Sequence, residues 1–173
     1  MTRIGSFETN RLTVRTWQDD LADVDARAEL EKALRSVLTQ AVLNTLPEPL
    51  WMDQTDPDIS EWVDARDAES DVRLVEVKET QSLIGLLILA DTHDVGQPTT
   101  HIGYLFAESD WGRGYATELV TGLIEAAKTA GSRRFVGGVA ADNPASAKVL
   151  QKAGFALDTS LSTDATRMFA LNI

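Results

Sequence analysis

The sequence contains no cysteine, which excludes disulfide bonds, a thiolate nucleophile and cysteine-ligated zinc. Its two histidines, His93 and His101, are too few for a convincing histidine metal site, so we expect no bound metal. No run of apolar residues approaches the roughly 20 needed to cross a bilayer, and residues 1–10 contain no apolar stretch typical of a signal peptide. We therefore expect a cytoplasmic protein with no membrane partner.

Positive charge is also scarce, since 16 Lys and Arg stand against 27 Asp and Glu and the net charge is −11. Nucleic-acid-binding proteins usually carry a basic patch, so we expect no nucleic-acid partner. The acidic excess either attracts a cationic acceptor, such as a polyamine, an amino sugar or a basic protein tail, or serves only solubility. The length suits a single domain, residues 1–173, with a sizeable core.

Apolar periodicity predicts an α/β domain built on a mixed sheet. The expected strands are residues 11–17, 72–77, 83–90, 102–106, 134–141, 155–157 and 167–173. The expected helices are a helical pattern over 19–44, a short helix starting at 56–57, a long helix from 115 to about Gly131, and a short helix after Asn143. The 19–44 pattern is either one helix or two with a break near 26–29, and residues 91–100 indicate a polar loop.

The most informative segment is residues 101–119, HIGYLFAESDWGRGYATEL. An apolar strand leads into a turn containing Gly112, Arg113 and Gly114, and a helix follows at once. Glycines allow positive φ and close backbone approach. The first turn of a helix leaves N–H groups unpaired at the positive end of the dipole, which suits phosphate. The turn lacks the third glycine of a dinucleotide fingerprint and the lysine of a P-loop, which excludes both sites.

A second informative segment, DNPASAKVLQKAGF, covers residues 142–155 and follows a β-rich run. Asn143 is a good N-cap, Pro144 suits the first helical position and Gly154 suits the position after the helix. The order along the chain is therefore a strand, a glycine turn, a long helix, a second strand, and a capped short helix.

That order resembles the GCN5-related N-acetyltransferase (GNAT) superfamily, and the motifs are similar to those of its ribosomal-protein N-terminal acetyltransferases. The matching segments are Thr9 to Arg15, Ile102-Gly103-Tyr104, Trp111 to Glu118, Asn143 with Ser146, and Lys152 to Phe155. Residues 30–70 match only loosely. The resemblance implies an α/β fold with a mixed, mostly antiparallel central sheet, helices on both faces and a V-shaped splay at the central strands.

The resemblance also implies acetyl-CoA as cosubstrate, bound without a metal. The residues expected to bind it are Leu105, Phe106, Arg113, Gly114, Tyr115, Ala116, Thr117 and Asn143. Leu105 and Phe106 would offer backbone groups to the pantetheine arm and the thioester carbonyl, and the residues from Arg113 onward would hold the pyrophosphate. The Arg113 side chain either reaches a phosphate or is solvated, and Trp111 is expected to pack.

Much of the superfamily places a proton-donating tyrosine seven residues after the helix-starting asparagine, but this chain has Leu150 there. The branch resemblance assigns that role to Ser146, and we expect Ser146 and Asn143 to be the catalytic residues. No general base is assigned. Glu108 and Asp110 are expected near the phosphates rather than the acceptor, and His101 and Tyr104 each have a structural alternative. A base acting through water, or an amine that arrives neutral, needs no side chain.

These residues predict an acetyl-CoA-dependent N-acetyltransferase that passes acetyl directly to a primary amine in a ternary complex. The branch favours a protein or peptide N-terminus as the acceptor. The alternatives are a small-molecule acetyltransferase acting on a polyamine or aminoglycoside, and a non-catalytic acyl-CoA sensor. Residues 25–55 and 91–100 would set acceptor choice; Trp51, Met52, Trp62 and His93 either line that side or belong to the core. The protein is expected to be a monomer or a homodimer.

Overall fold

The computed structural model describes residues 4–53, 58–92, 98–131 and 133–173. Its strands are β1 (Phe7–Glu8), β2 (Leu12–Thr16), β3 (Asp71–Val77), β4 (Leu83–Thr92), β5 (Thr99–Phe106), β6 (Arg134–Ala140), β7 (Ala156–Asp158) and β8 (Thr166–Asn172). Its α-helices are α1 (Gln18–Ala22), α2 (Val24–Val37), α3 (Gln40–Leu43), α4 (Ile59–Glu69), α5 (Tyr115–Lys128) and α6 (Pro144–Lys152).

The strands form one sheet in the order β1-β2-β3-β4-β5-β6-β8-β7. Every neighbouring pair is antiparallel except β5 and β6, which run parallel. Strand β5 pairs with β4 along its whole length. It pairs with β6 only where Thr99–His101 face Arg134–Val136. Beyond His101 the two central strands diverge, which opens a V-shaped splay and confirms the predicted mixed sheet.

The sheet separates two apolar clusters. On one face α5 and α6 contribute Leu119, Leu123 and Leu150, which pack against Leu12 and Ile102 of the sheet. On the other face, α2, α3 and α4 cover a second apolar cluster. The strands contribute to it the side chains that point away from the first cluster. The sheet residues of this second cluster are Val72, Leu74, Leu86, Ile88 and Leu105. Successive strand residues point to opposite faces, so the alternation places helices on both sides of the sheet, as predicted.

The helical region after β2 differs from the sequence prediction. A break lies at Asp23, whose backbone is extended and whose carboxylate accepts a hydrogen bond from the Ala26 N–H. The predicted break at 26–29 is wrong because those residues lie inside α2. A second break follows Val37, and the Thr39 side chain caps α3. The capping side chains, which satisfy the first N–H groups of each helix, set these boundaries.

The end of β4 and the start of β5 also differ from the sequence prediction. The polar loop predicted over 91–100 is shorter, because β4 continues to Thr92 and β5 begins at Thr99. The Thr100 hydroxyl donates to Asp91 across this strand pair, 2.6 Å between oxygens. Strand β1 was not predicted. Helix α4 begins after the Asp58 cap. The start predicted at 56–57 lies outside the described residues.

Candidate active site

The turn before α5 has the backbone conformation that its glycines predict. Gly112 and Gly114 have φ values of +73° and +79°, in the left-handed region that favours glycine. Gly114 is the N-cap residue of α5, and within the described part of the chain no side chain caps this helix. The first backbone bond runs from the Glu118 N–H to the Gly114 carbonyl at 3.1 Å. The preceding N–H groups of the helix are therefore offered to an anion.

A three-residue network, Thr9, Arg11 and Glu118, holds this turn against the N-terminal strands. The Glu118 carboxylate accepts hydrogen bonds from the Thr9 hydroxyl at 2.6 Å, from the Arg11 backbone N–H at 2.7 Å and from Arg11 Nε at 2.7 Å. Arg11 Nη1 also donates to the carbonyl of Arg113 at 3.1 Å. Arg11 thus connects the N-terminal segment to the glycine turn, through Arg113, and to α5, through Glu118.

The same network sets the charge state of Glu118. Burial alone would raise the pKa of Glu118, but the hydrogen bonds donated by Thr9 and Arg11 outweigh it, and the pKa lies below its ordinary value. The Arg11 guanidinium also lies over the Tyr115 ring, 4.4 Å from its centroid. Tyr115 is buried and stacks on Phe106 with 6.4 Å between ring centroids. The Tyr115 ring therefore packs against Arg11 and Phe106.

The wall of the splay consists of the backbone of β5. In an antiparallel pair, every second residue directs its N–H and C=O groups to the neighbouring strand. Ala107 donates its N–H to the carbonyl of Ile84, near the start of β4, so the backbone groups of Leu105 also face β4. Tyr104 and Phe106 have the opposite alternation and direct their backbone groups into the splay. Leu105, predicted to serve the pantetheine arm through its backbone, has that backbone directed away from the splay.

Trp111 closes one end of this wall. Its indole N–H donates to the Phe106 carbonyl at 2.9 Å, which leaves the Phe106 N–H as the group directed into the splay. Trp111 is expected to pack; it makes this hydrogen bond to β5 while 45% of it stays exposed. The Arg113 side chain is 59% exposed and lies 3.5 Å from the Asp110 carboxylate, so it extends into solvent beside the turn.

Helix α6 brings the two predicted catalytic residues together beside the splay. The Asn143 side-chain oxygen accepts a hydrogen bond from the Ser146 N–H at 3.2 Å, as an N-cap does. The Ser146 hydroxyl lies 2.8 Å from the hydroxyl of Tyr104, with either atom able to donate. Burial raises the pKa of Tyr104, and the hydrogen bond with Ser146 opposes that shift. Leu150, at the superfamily's tyrosine position, is buried in the core.

A groove of about 740 Å³ runs along α5 beside β1. It touches the start of α5 at Gly114 and Thr117 and the end of α6 at Lys152, but its described lining includes neither Asn143 nor Ser146. The groove therefore reaches the glycine turn without including either of the predicted catalytic residues in its described lining.

The residues considered for the acceptor side have different environments. Trp62 is buried, and its indole N–H donates to the Leu50 carbonyl at 3.0 Å, so it belongs to the core. Trp51 is exposed and donates to the Leu46 carbonyl at 2.8 Å. Met52 packs at the edge of the second apolar cluster, and His93 lies outside the described residues.

Sequence reasoning missed the roles of four residues. Thr9 and Arg11 belong to the opening motif and Glu118 to the helix motif, but only the structure joins them. Tyr104 has the predicted side-chain face, with Ile102 and Phe106, but its contact with Ser146 was not predicted. A signal was present in each case, because all these residues belong to segments that carry the family resemblance.

Two features are absent from the described residues. Residues 4–53, 58–92, 98–131 and 133–173 contain no helix both long and apolar enough to span a bilayer. In the same ranges, no group of three or more His, Asp or Glu is arranged to hold a metal ion.

Solved structures share this fold. RimL, the ribosomal L7/L12 α-N-protein acetyltransferase in complex with coenzyme A, aligns with a TM-score of 0.71 at 19% identity, over 97% of this chain and 98% of its own. The ribosomal-protein-S5-alanine acetyltransferase of Vibrio fischeri gives 0.65 at 16% identity, over 96% and 95%. The microcin C7 self-immunity acetyltransferase MccE, in complex with acetyl-CoA and AMP, gives 0.67 at 16% identity, over 95% and 93%. Identities this low establish the fold alone.

Sequence comparison identifies the family. No curated protein sequence matches the chain. The family model of the acetyltransferase (GNAT) domain, however, matches residues 11–156. That range includes the glycine turn, the splayed strands and the Asn143–Ser146 helix start. The chain therefore belongs to the GNAT family of acetyltransferases.

Proposed function

We propose that this chain is an acetyl-CoA-dependent N-acetyltransferase in which residues 1–173 act as one domain and acetyl passes directly to a primary amine. The observation that carries the proposal is the arrangement around the splay. An uncapped helix N-terminus lies at its open end, and the Ser146 hydroxyl lies beside it against Tyr104. The helix N-terminus suits a pyrophosphate, and the Ser146 hydroxyl suits a leaving thiolate.

The coenzyme is held mostly by backbone groups in this proposal. The N–H groups of Gly114, Tyr115, Ala116 and Thr117 bind the pyrophosphate, aided by the helix dipole. The exposed Arg113 side chain lies beside them and adds positive charge. Asn143 contacts the pantetheine arm or a water bound to it while capping α6.

The thioester lies along the wall of the splay. The backbone groups of Tyr104 and Phe106 pair with the pantetheine arm as a neighbouring strand would, whereas Leu105 supports this wall from the β4 side. An N–H on this wall stabilises the oxyanion that forms when the amine attacks, and one such donor is worth about 3 kcal/mol in the transition state. Ser146 donates its proton to the leaving sulfur, because Leu150 cannot.

The acceptor we favour is the N-terminal amine of a protein or peptide. The support is the opening and helix motifs, which are similar to those of ribosomal-protein acetyltransferases, together with the fold shared with RimL. The net charge of −11 supports a cationic acceptor and keeps a polyamine or aminoglycoside as the second candidate. We further propose that the protein is cytoplasmic, acts without a metal or nucleic acid, and is a monomer or homodimer.

Calorimetric titration of acetyl-CoA into coenzyme-free protein tests the first half of the proposal. We expect micromolar binding, about −8 kcal/mol. Absence of binding to a folded sample would mean that the glycine turn serves only the fold.

A thiol-release assay then tests the acceptor. A peptide with a free N-terminus is compared with the same peptide N-acetylated, with a polyamine and with an aminoglycoside. Release with the free peptide alone supports the favoured acceptor, and release with the small amines alone supports the second candidate. Coenzyme binding without turnover on any amine supports a sensor. Parallel lines in a two-substrate kinetic analysis, the mark of an acylated enzyme, would contradict direct transfer.

A further inference from the structure

The hydroxyl groups of Tyr104 and Ser146 form a hydrogen-bonded pair beside the splay. Their oxygens are 2.8 Å apart, and the phenol oxygen also lies 3.5 Å from the Ser146 carbonyl. Tyr104 is on β5, beyond the last residue of that strand that pairs with β6. The contact therefore bridges the splay, from the strand that forms its wall to the helix that carries the predicted acid.

The direction of this hydrogen bond decides whether Ser146 can act as an acid. A serine hydroxyl has one proton and two acceptor sites. If Ser146 donates to Tyr104, its proton is directed away from the splay. If Tyr104 donates, Ser146 keeps its own proton for a third partner. A phenol, with an ordinary pKa near 10, is a much stronger acid than an aliphatic alcohol, so Tyr104 is the better donor of the two.

The surroundings keep Tyr104 in its donating form. Burial raises the pKa of its hydroxyl above the ordinary value, against the opposing effect of the Ser146 contact. Tyr104 is therefore neutral at physiological pH and carries a proton to donate. Its ring packs against the first apolar cluster, which limits the directions in which that hydroxyl can point.

We propose, on the basis of the acetyl transfer proposed above, that Tyr104 is a positioning residue that acts through Ser146. Its O–H donates to Ser146 Oγ, so that the serine proton is directed to the sulfur of coenzyme A. The chain thus supplies from β5 the phenol that the superfamily often supplies from the position of Leu150 on the short helix.

The protons balance in this scheme. When the tetrahedral intermediate collapses, the C–S bond breaks and its electron pair stays on sulfur, which takes the proton of Ser146. The proton of Tyr104 passes to Ser146 Oγ. The proton lost by the acylated amine nitrogen returns Tyr104 to its neutral form. One proton in total moves from nitrogen to sulfur, and no further reactant is needed.

The first test compares Tyr104→Phe, Ser146→Ala and the double variant in the thiol-release assay. Tyr104→Phe keeps the ring and removes only the hydroxyl. We expect it to lower kcat at least about 10-fold, because a general acid contributes about 10²–10⁴-fold, and to change the KM for acetyl-CoA less than about twofold. The double variant should be no slower than Ser146→Ala, because both changes break one unit. Wild-type kcat in Tyr104→Phe would overturn the inference.

Thr100→Val is the matched control. It also removes a hydroxyl from β5, the buried one that donates to Asp91, but at the opposite end of the strand from Tyr104. A merely structural effect of losing a hydroxyl from this strand would lower kcat in both variants. We expect Thr100→Val to keep near-wild-type kcat, and an equal fall in both variants would overturn the positioning role.

A second measurement needs no acceptor. The thiolate of coenzyme A absorbs in the ultraviolet, so the pKa of the bound thiol can be followed in the binary complex with each variant. A Ser146 proton directed to sulfur stabilises the thiolate, and we expect a lower thiol pKa in wild type than in Tyr104→Phe or Ser146→Ala. Equal thiol pKa values in all three would overturn this inference alone. Failure of wild type to bind coenzyme A would overturn the proposed function and this inference with it.

Discussion

The contact between Glu118 and Arg11 gives the sharpest prediction about stability. The Glu118 carboxylate accepts three hydrogen bonds and its side chain is only 17% exposed, whereas Arg11 is 41% exposed. Glu118→Gln keeps the size of the side chain but places an amide N–H₂ where one donor now points. A hydrogen bond to a charged group contributes roughly 1.5–3 kcal/mol. Allowing for the exposure of Arg11, we expect a loss of about 2 kcal/mol in the free energy of unfolding.

Glu125→Gln is the matched control, because it makes the same change on the same helix. Glu125 pairs with Lys128 at 2.6 Å, but these side chains are 64% and 56% exposed. An exposed pair of this kind contributes at most about 0.5 kcal/mol. Urea unfolding followed by tryptophan fluorescence measures both variants. If Glu118→Gln were no less stable than Glu125→Gln, the network would not hold the turn.

The pH dependence of this difference provides an independent check. The pKa of Glu118 falls below its ordinary value of 4.5 on folding, so the ionised form stabilises the folded state. That contribution is fully present above the unfolded pKa and is lost as the pH falls through the folded pKa. The difference between wild type and Glu118→Gln should therefore be constant near neutral pH and shrink in acid. A difference that persists unchanged in acid would show that charge has no part in it.

Three further substitutions test the candidate site. Gly114→Ala and Gly131→Ala both place a methyl group at positive φ without a clash, since the nearest atom is Arg11 Nη2 at 3.7 Å for Gly114 and none lies within 4 Å for Gly131, and each should cost about 1–2 kcal/mol of stability. Only Gly114→Ala should weaken acetyl-CoA binding in calorimetry, and equal weakening would count against the turn as the anion site. Asn143→Ala should lose about 1 kcal/mol in thermal unfolding and Asn143→Asp should recover it, since Asp also caps helices; equal losses would contradict the capping role. Ser146→Ala should lower kcat about 100-fold or more with little change in the KM for acetyl-CoA, whereas Ser160→Ala should not; an unchanged kcat would remove Ser146 from the mechanism.

Structural features that depend only on residues close together in the sequence were predictable. The glycine turn before α5 follows from the conformational freedom of Gly112 and Gly114, and the start of α6 follows from the capping preference of Asn143. The helix break at Asp23 was harder to predict, because Asp19 and Asp20 lie nearby in the sequence and each is also a good capping residue. Packing of α2 onto the sheet selects between them, and that is a tertiary effect.

Contacts between distant segments were not predictable by the same rules. The alternation of residues in β5 predicted the side of the sheet to which the Tyr104 side chain points. It did not predict the contact with Ser146, because that contact depends on the orientation of α6 over the splay. Thr9 and Glu118 are 109 positions apart, and no local rule pairs them. The family resemblance named both segments as motifs, but their physical relation, donor groups around one carboxylate, required the structure.

The link between the chain's opening and α5 also has a consequence for the order of folding. The bond from Arg11 to Glu118 spans 107 positions, and closing a loop of that length costs about 4 kcal/mol of chain entropy. The turn that we propose as the pyrophosphate site therefore reaches its final geometry only after the sheet has brought β2 alongside α5. A ligand of that turn can recognise only the finished fold. Acetyl-CoA should accordingly slow unfolding and leave the refolding rate unchanged, which stopped-flow dilution from urea with and without the coenzyme can measure.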